Sequence, residues 1–143
     1  MSQNIHFFEE DISYSPPGKT KIRKWISGTA EAENSFTGEI CIVFCSDAYL
    51  LKLNRKYLKH YTLTDILTFP LIEDNSKVSG DIFISISRVR ENARKFRQKV
   101  NEEVHRVIIH GVLHLLGYED STADEKARMK TKEDFYLGIL AEL

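Results

Sequence analysis

The strongest constraint on the fold is an apolar run over residues 107–116 that contains two histidines, His110 and His114. The run is long enough for a buried helical segment, but it is about half of the roughly 20 residues that a membrane-spanning helix needs. In an α-helix, residues i and i+4 lie about 40° apart around the axis and about one turn along it. The two imidazoles can therefore point at one ion.

The residues after this run extend the pattern. Gly117 is suited to the left-handed conformation that ends a helix and reverses the chain. Asp120 follows three residues later, close enough to complete a set of three ligands with His110 and His114. Three protein ligands with one open coordination position are typical of catalytic rather than structural zinc sites.

A single histidine on an apolar helix face is usually a core residue whose ring nitrogens are satisfied. Two histidines at ligand spacing, followed by a glycine turn and an acid, favour metal binding over coincidence. His105 serves as an internal control, because it lies about 140° or more around the helix from both His110 and His114. His105 therefore cannot share their ion.

Apolar patterns along the whole chain predict four strands and five helices, which is typical of a small α+β domain. The metal-binding helix is expected at its centre. The predicted strands cover residues 5–8, 40–45, 65–69 and 80–87, and the predicted helices cover residues 22–29, 46–57, 88–99, 101–116 and 122–140. Strand 40–45 is apolar on both faces, which predicts that the sheet is covered on both sides there.

Polar residues at the predicted helix starts are expected to act as caps. Ser46 is the expected cap of the second helix, and Asn101 is the expected cap of the metal-binding helix. Thr122 and Glu125 resemble a capping box at the start of the last helix. The polar segment 73–77 is predicted to be a loop.

The overall composition excludes several classes of protein. A chain of 143 residues is expected to form one domain, and its net charge of −1 gives no overall attraction to nucleic acid. Cys41 and Cys45 are expected to be buried free thiols, because one strand would hold their Cα atoms about 13 Å apart. Free thiols, no signal-peptide pattern and no membrane span predict a cytoplasmic protein.

The segment 110–120, His-Gly-Val-Leu-His-Leu-Leu-Gly-Tyr-Glu-Asp, resembles the signature of the YbeY family, bacterial endoribonucleases of ribosomal RNA maturation. Three more motifs match the family's order and spacing: Leu-Asn-x-x-Tyr at 53–57, Thr-Asp-Ile-Leu-Thr-Phe-Pro at 64–70 and Gly-Asp-Ile at 80–82. The resemblance implies a mixed sheet packed against the metal-binding helix. It also implies a single metal-dependent hydrolase domain over residues 1–143.

The chain departs from the family pattern at two positions. The family signature has a third histidine where this chain has Asp120, and it usually has an arginine where this chain has Leu58. A carboxylate ligand makes water on the ion less acidic and widens the choice of metal to iron or manganese, although one Zn²⁺ per chain is the expected cofactor. If the missing arginine orients phosphate, Arg55 or Lys59 must take over this role, or activity is weaker.

Two basic stretches can supply the cations that an RNA substrate requires. The expected contacts are Arg55 and Lys59 in the first stretch, and Arg88 and Arg90 in the second. A solvated helix face explains any single one of these residues equally well. Two such stretches near a phosphate-cleaving metal favour RNA as the substrate.

The resemblance also places Asp65 and Asp81 beside the metal cleft. Either carboxylate can orient a ligand histidine by accepting a hydrogen bond from its second nitrogen. The alternative is that each one bonds backbone amides at a turn or a strand end. This alternative is the favoured one for Asp81.

The resemblance, joined to the predicted metal site, implies a metal-dependent, single-strand-specific endoribonuclease of ribosomal RNA maturation, acting at the 3′ end of 16S ribosomal RNA and in ribosome quality control. His110, His114 and Asp120 are the expected zinc ligands, and His114 and Asp120 are also the expected catalytic residues. Either water on the ion or the RNA 2′-hydroxyl is the nucleophile. Ribosomal RNA, the small ribosomal subunit, and ribosomal or GTPase assembly proteins are the expected partners, with no membrane association.

Two other functions stay open. A ribosome-assembly factor without catalysis would use the metal for stability alone. A zinc metalloprotease is disfavoured, because Gly111 stands where the His-Glu-x-x-His motif has its general base. Glu119 can replace that base only if its side chain points toward the ion.

Overall fold

A computed structural model describes residues 4–58, 64–71 and 77–143. In this part of the chain, the predicted number of strands and helices is found. The strands are β1 (Ile5–Glu9), β2 (Phe36–Cys45), β3 (Ile66–Pro70) and β4 (Lys77–Ser85). The helices are α1 (Lys19–Ala32), α2 (Asp47–Leu53, followed by a π-helical segment, Asn54–Leu58), α3 (Ile86–Lys95), α4 (Val100–Leu115) and α5 (Ala123–Ala141).

The four strands form one mixed sheet in the order β1-β2-β4-β3. β1 pairs in parallel with β2, and β2 in parallel with β4, whereas the edge strand β3 runs antiparallel to β4. Parallel neighbours need long connections, which α1 provides for the first pair and the segment containing α2 and β3 for the second. The predicted α+β class and mixed sheet are confirmed.

The two faces of the sheet are covered unequally. On one face, Ile42 and Ile82 lie side by side, fully buried, in a large core that includes residues of α1, α3, α4 and α5. The other face has a smaller cluster formed with α2: Cys45, Leu50 and Leu67. All residues of strand 40–45 except Cys41 are buried, which confirms the prediction that this strand is covered on both sides.

Two of the three predicted helix caps are present. The Ser46 hydroxyl accepts a hydrogen bond from the backbone of α2, and Thr122 and Glu125 form a reciprocal capping box at the start of α5. The prediction for Asn101 is wrong, because α4 begins at the residue after Lys99 and has no side-chain cap. The extended backbone of Lys99 starts this helix instead.

The end of the fourth strand was also predicted incorrectly. The pattern of isoleucines placed residues 80–87 in one strand, but β4 ends at Ser85. The Ser85 hydroxyl accepts a hydrogen bond from the backbone N–H of Arg88 and thereby starts α3. Ile86 is buried as part of this helix, together with Val89. Alternation of apolar residues therefore continued across a strand–helix boundary.

Three further expectations concern the chain as a whole. Cys41 and Cys45 are free thiols, as predicted, although only Cys45 is fully buried. Within the described ranges, no helix combines the length and the apolar sequence that a bilayer crossing requires. The predicted polar loop 73–77 lies, apart from Lys77, outside the described residues.

Candidate metal centre

Helix α4 positions the two histidines by packing its opposite face tightly on the sheet. A Cβ atom on Gly111 would lie 2.8 Å from Ile66 Cδ1 and 2.8 Å from Ile82 Cγ2. The helix therefore approaches β3 and β4 more closely at Gly111 than a larger residue would permit. The side chains of His110 and His114 are 22% and 23% exposed and face α5 and the turn after α4.

The three predicted ligands converge on one point. His110 Nε2 lies 3.0 Å from His114 Nε2, and Asp120 Oδ2 lies 3.2 Å from the first nitrogen and 3.4 Å from the second. A tetrahedral zinc ion with bonds of about 2.0–2.1 Å holds its ligand atoms about 3.3 Å apart. The donor triangle therefore fits one divalent ion, and among the described residues it is the one such group of histidine, cysteine and acidic side chains.

Hydrogen bonds behind each ring determine which nitrogen faces the ion. The carbonyl oxygen of Tyr118 lies 2.9 Å from His114 Nδ1 and can only accept, so this Nδ1 carries the proton. A carboxylate oxygen of Glu133 lies 2.5 Å from His110 Nδ1 and places the proton there in the same way. Both Nε2 lone pairs then point at each other and at Asp120, an arrangement that is favourable with a cation between them.

The turn after α4 brings Asp120 within reach of the histidines. Gly117 has a φ of 105°, in the region that favours glycine, which confirms its predicted role in ending the helix. The backbone N–H of Tyr118 donates to the carbonyl of Leu113 at 3.0 Å and closes the turn. The Tyr118 hydroxyl donates to Glu33, at the end of α1, at 2.6 Å and ties the turn to a second helix.

Acidic groups around His110 set its pKa. Burial alone would lower the pKa of His110, but the hydrogen bond and charge of Glu133, with the charges of Asp120 and Asp65, raise it above its ordinary value. Burial also raises the pKa of the Asp65 carboxyl group, against the opposing charge of His110. The surroundings of His110 therefore favour positive charge at this position, whether as a proton or as a metal ion.

Glu133 is the supporting residue that the sequence patterns missed. Its side chain is only 8% exposed, and its second carboxylate oxygen accepts a hydrogen bond from Arg106 Nη1 at 2.8 Å. A signal was present, because the buried residues of α5 recur at intervals of three or four: Met129, Glu133, Tyr136 and Leu140. One acid in an otherwise apolar stripe needs a polar partner, and a ligand histidine is a candidate for that role.

Asp65 and Asp81 were each proposed either to orient a ligand histidine or to bond backbone amides, with the second role favoured for Asp81. The bonds seen at the two Nδ1 atoms come from Glu133 and from the Tyr118 carbonyl instead. Asp65 lines a small cleft of about 230 Å³ together with His110 and Asp120. Asp81 is exposed on β4 and lies against the thiol of Cys41, whose pKa is raised by burial and then by the Asp81 charge. Orientation through Nδ1 is therefore not the role of either carboxylate, and the alternative of backbone bonds stays a prediction.

The described cations that were expected to contact RNA differ in their surroundings. Arg55 is exposed on the π-helical segment after α2, and Lys59 lies outside the described residues. Arg88 Nη2 pairs with Asp47 Oδ2 at 2.8 Å, and both side chains are mostly buried. Arg90 is exposed, with its guanidinium 5.9 Å from the centre of a tyrosine ring before α1.

A larger cleft of about 880 Å³ opens beside the ligands, between α4 and α5, and is lined by both His110 and Asp120. Its cations come from three helices: Lys21, Arg106, Lys126 and Lys130. Among the described residues, none of the arginines expected to bind RNA lines this cleft. The sequence did not predict the lysines, because their position depends on how α5 folds back along α4.

Known proteins are similar to this chain in sequence and in fold. The family model described as Endoribonuclease YbeY matches residues 4–141. The Endoribonuclease YbeY of Cytophaga hutchinsonii is 45% identical over 137 residues, 96% of each chain, and that of Amoebophilus asiaticus is 44% identical over 94% of this chain and 91% of its own. A solution structure from Thermotoga maritima matches with a TM-score of 0.65 and 28% identity, over 95% of this chain and 88% of that chain. The chain therefore belongs to the Endoribonuclease YbeY family.

Proposed function

We propose that this protein is a metal-dependent endoribonuclease that cleaves single-stranded parts of ribosomal RNA. The observation that carries the proposal is the convergence of three acceptor atoms, from His110, His114 and Asp120, beside an open cleft. Such a set binds a divalent ion and leaves a coordination position for a substrate group. Membership of the family supports RNA as the substrate.

The residues around the site orient the two histidine ligands, and they leave Asp120 open to solvent. The bonds at Nδ1 keep both imidazoles in one orientation, and Asp120, with 40% of its side chain exposed, lies on the open side. When bound, zinc supplies Lewis-acid polarisation of a phosphoryl oxygen and makes water more acidic, and both effects suit phosphodiester cleavage. We propose zinc because two imidazoles and one carboxylate form an established catalytic zinc set.

Phosphate contacts belong to the proposal as well. Lys126 and Lys130 line the cleft that contains Asp120, so they are suited to hold the RNA backbone near the site of cleavage. Arg55, Lys59, Arg88 and Arg90 are proposed as further contacts with the RNA backbone. The guanidinium of Arg88 pairs with Asp47, so a phosphate would have to compete with that carboxylate for Arg88.

The proposed cellular role is maturation of the 3′ end of 16S ribosomal RNA and ribosome quality control in the cytoplasm. Its proposed partners are the small ribosomal subunit and ribosomal or GTPase assembly proteins. The family assignment supports this role, and the two free thiols are compatible with a reducing compartment.

The metalloprotease alternative loses support from the packing of α4. The position after His110 faces Ile66 and Ile82 of the sheet, so a glutamate there would be directed into the core rather than toward the ion. The assembly-factor alternative keeps the metal as a structural link between α4 and the turn that carries Asp120. This alternative predicts that metal removal lowers the melting temperature but changes no cleavage reaction.

The proposal is tested by cleavage of a 16S ribosomal RNA precursor with purified protein and with an equally purified His114→Ala variant. The paired variant is necessary because contaminating ribonucleases mimic a positive result. We expect cleavage in the single-stranded 3′ region by the parent, and none by a variant whose circular dichroism spectrum shows that it is folded. Equal cleavage by both proteins, or by neither, would favour the assembly factor.

The identity of the metal is tested separately on protein stripped with a chelator. Zinc, manganese and ferrous iron are added back singly, and cleavage is measured with each ion at matched occupancy. We expect zinc to restore the highest rate. Restoration by manganese or iron alone would replace zinc in the proposal without affecting the nuclease assignment.

A further inference from the structure

Glu133 lies between two donors that α4 presents on one face. Arg106 and His110 are four residues apart on this helix, and each bonds a different oxygen of the same carboxylate. Arg106 also pairs with the neighbouring Asp134 at 2.6 Å, and that carboxylate is 52% exposed. Glu133 is therefore a buried bridge between α5 and α4, while Asp134 is its solvent-exposed neighbour.

Only a carboxylate satisfies both partners of Glu133 at once. An arginine has donors and no acceptor, so the oxygen that faces Arg106 must accept. The oxygen that faces His110 must also accept if His110 Nδ1 carries the proton and Nε2 is free to bind an ion. A glutamine of the same shape has one acceptor and one donor, and it would have to fail one of the two partners.

We propose that Glu133 is a positioning residue of the metal centre, which holds His110 in the tautomer whose Nε2 can ligate a divalent ion. The inference rests on the metal site of the proposed function, but it does not depend on RNA as the substrate. Glu133 lines the same cleft as His110, but its contact with the ring is at Nδ1, whereas the other two ligands meet the ring at Nε2. Its effect on the ion is transmitted through the orientation and the basicity of His110.

The decisive variant is Glu133→Gln. The charged guanidinium of Arg106 will take the remaining oxygen, so the amide NH₂ will face His110 Nδ1 and favour the tautomer with its proton on Nε2. We expect the affinity for Zn²⁺, measured by competition with a chromophoric chelator, to fall by about 10–100-fold. Asp134→Asn is the matched control, because it removes the same charge from the same arginine without touching His110. Its affinity should remain within about threefold of the parent.

The tautomer itself is observable without metal and without RNA. In the ¹⁵N NMR spectrum of metal-free protein at alkaline pH, where the ring is neutral, we expect His110 to carry its proton on Nδ1 in the parent and in Asp134→Asn. In Glu133→Gln the proton should move to Nε2. A merely structural role for Glu133 would not move this proton. A parent protein with Nε2 protonated on His110 would overturn the proposal whatever the variants do.

A double variant separates positioning from folding. In Arg106→Met with Glu133→Gln, the competing donor is gone, so the glutamine can turn its oxygen to His110 and recover at least part of the lost zinc affinity. No recovery in a folded double variant would contradict the proposal, as would unchanged affinity in Glu133→Gln. If the zinc results agree with these expectations but no protein cleaves RNA, only the proposed function fails.

Discussion

The two halves of α4 both carry histidine in apolar surroundings, but they use it differently. In the N-terminal half, His105 packs edge-to-face on Trp25 with ring centroids 6.1 Å apart. Burial, and then the charge of Lys21, lower the pKa of His105. In the C-terminal half, His110 and His114 converge on a shared point, and nearby carboxylates raise the pKa of His110 despite burial.

The difference originates outside the helix. The C-terminal half receives Asp120 from the following turn and Glu133 from α5, whereas the N-terminal half receives an indole ring and the charge of Lys21. Residue type and helix are the same in both halves. The comparison therefore teaches that the charges supplied by neighbouring elements decide whether a half-buried histidine is suited to packing or to metal binding.

The largest expected effect is on zinc affinity and RNA cleavage, which a histidine variant in the C-terminal half should lose and one in the N-terminal half should keep. His110→Ala removes one of three ligands and should reduce RNA cleavage to background. Its zinc affinity should fall by more than about 100-fold, the upper end of the loss that follows when a residue hydrogen-bonded to a ligand is removed. His105→Ala should leave zinc affinity within about threefold of the parent, while costing about 1–3 kcal/mol of stability through its lost packing. Chelator competition and urea denaturation measure the two quantities on the same samples.

Circular dichroism of both variants provides the control that each is folded. Equal losses of zinc affinity would mean that α4 responds as a unit, and the distinction between its halves would then be wrong.

The next largest effect is a loss of stability at Gly111, where the C-terminal half of α4 approaches the sheet closely. In Gly111→Ala, the new methyl group would contact Ile66 and Ile82, and overpacking should cost about 1–3 kcal/mol, partly offset by about 1 kcal/mol of helix propensity. Gly138→Ala in α5 is the control, because nothing lies within 4 Å of its added Cβ. The control should gain about 0.5–1 kcal/mol. Urea denaturation that showed both variants stabilised would contradict the tight packing at Gly111.

The sequence predicted what depends on local geometry. The spacing of His110 and His114, the turn at Gly117 and the position of Asp120 all lie within eleven residues, so the geometry of the helix and of the turn that ends it brings them together. Glu133 could not be assigned in this way, because its contact with His110 depends on the rotation and the placement of α5 against α4. The acid in the buried stripe of α5 was visible, but its partner was not.

The basic residues also show that contacts between distant elements cannot be predicted from the sequence alone. Composition identified Arg88 and Arg90 as cations, but only the fold shows that Arg88 pairs with Asp47 while Lys126 and Lys130 line the cleft. The starts of α3 and α4 were missed for a different reason. A serine at the end of a strand and an uncapped extended lysine both give weak local signals, compared with the apolar periodicity around them.

A smaller effect concerns the support of the turn in the C-terminal half. Burial alone would raise the pKa of Glu33, but hydrogen bonds from Tyr118, Tyr136 and Lys132 lower it below its ordinary value. A lowered pKa means that the ionised form stabilises the fold above the unfolded-state pKa, and that this stability is lost as the pH falls through the folded-state pKa. Wild-type protein should therefore exceed Glu33→Gln in stability at pH 7, with the gap closing below about pH 4.5.

Urea midpoints of metal-free protein from pH 7 to pH 3.5 measure this gap. Glu31→Gln, an exposed change on the same helix, is the control and should show no comparable gap. A gap for Glu33→Gln that stayed constant with pH would mean that the three hydrogen bonds do not depend on its charge.

The smallest expected effect is a pH dependence of stability that comes from His105, in the N-terminal half of α4. Because burial lowers the pKa of His105, the folded protein disfavours its protonated form, and the unfolded chain binds more protons near pH 6. The contribution of neutral His105 is fully present above the unfolded-state pKa of about 6.5 and is lost as the pH falls through the lower folded-state value. The charge of Lys21 also lowers the pKa of His105, and the charge of Glu102 raises it.

In His105→Gln, the part of the pH dependence that comes from His105 should be absent. Urea midpoints of zinc-loaded protein between pH 8 and pH 5.5 provide the measurement, because a bound metal ion competes with protons for its ligands. If parent and variant showed the same slope, the protonation of His105 would not be coupled to folding, and the two halves of α4 would differ in metal binding only.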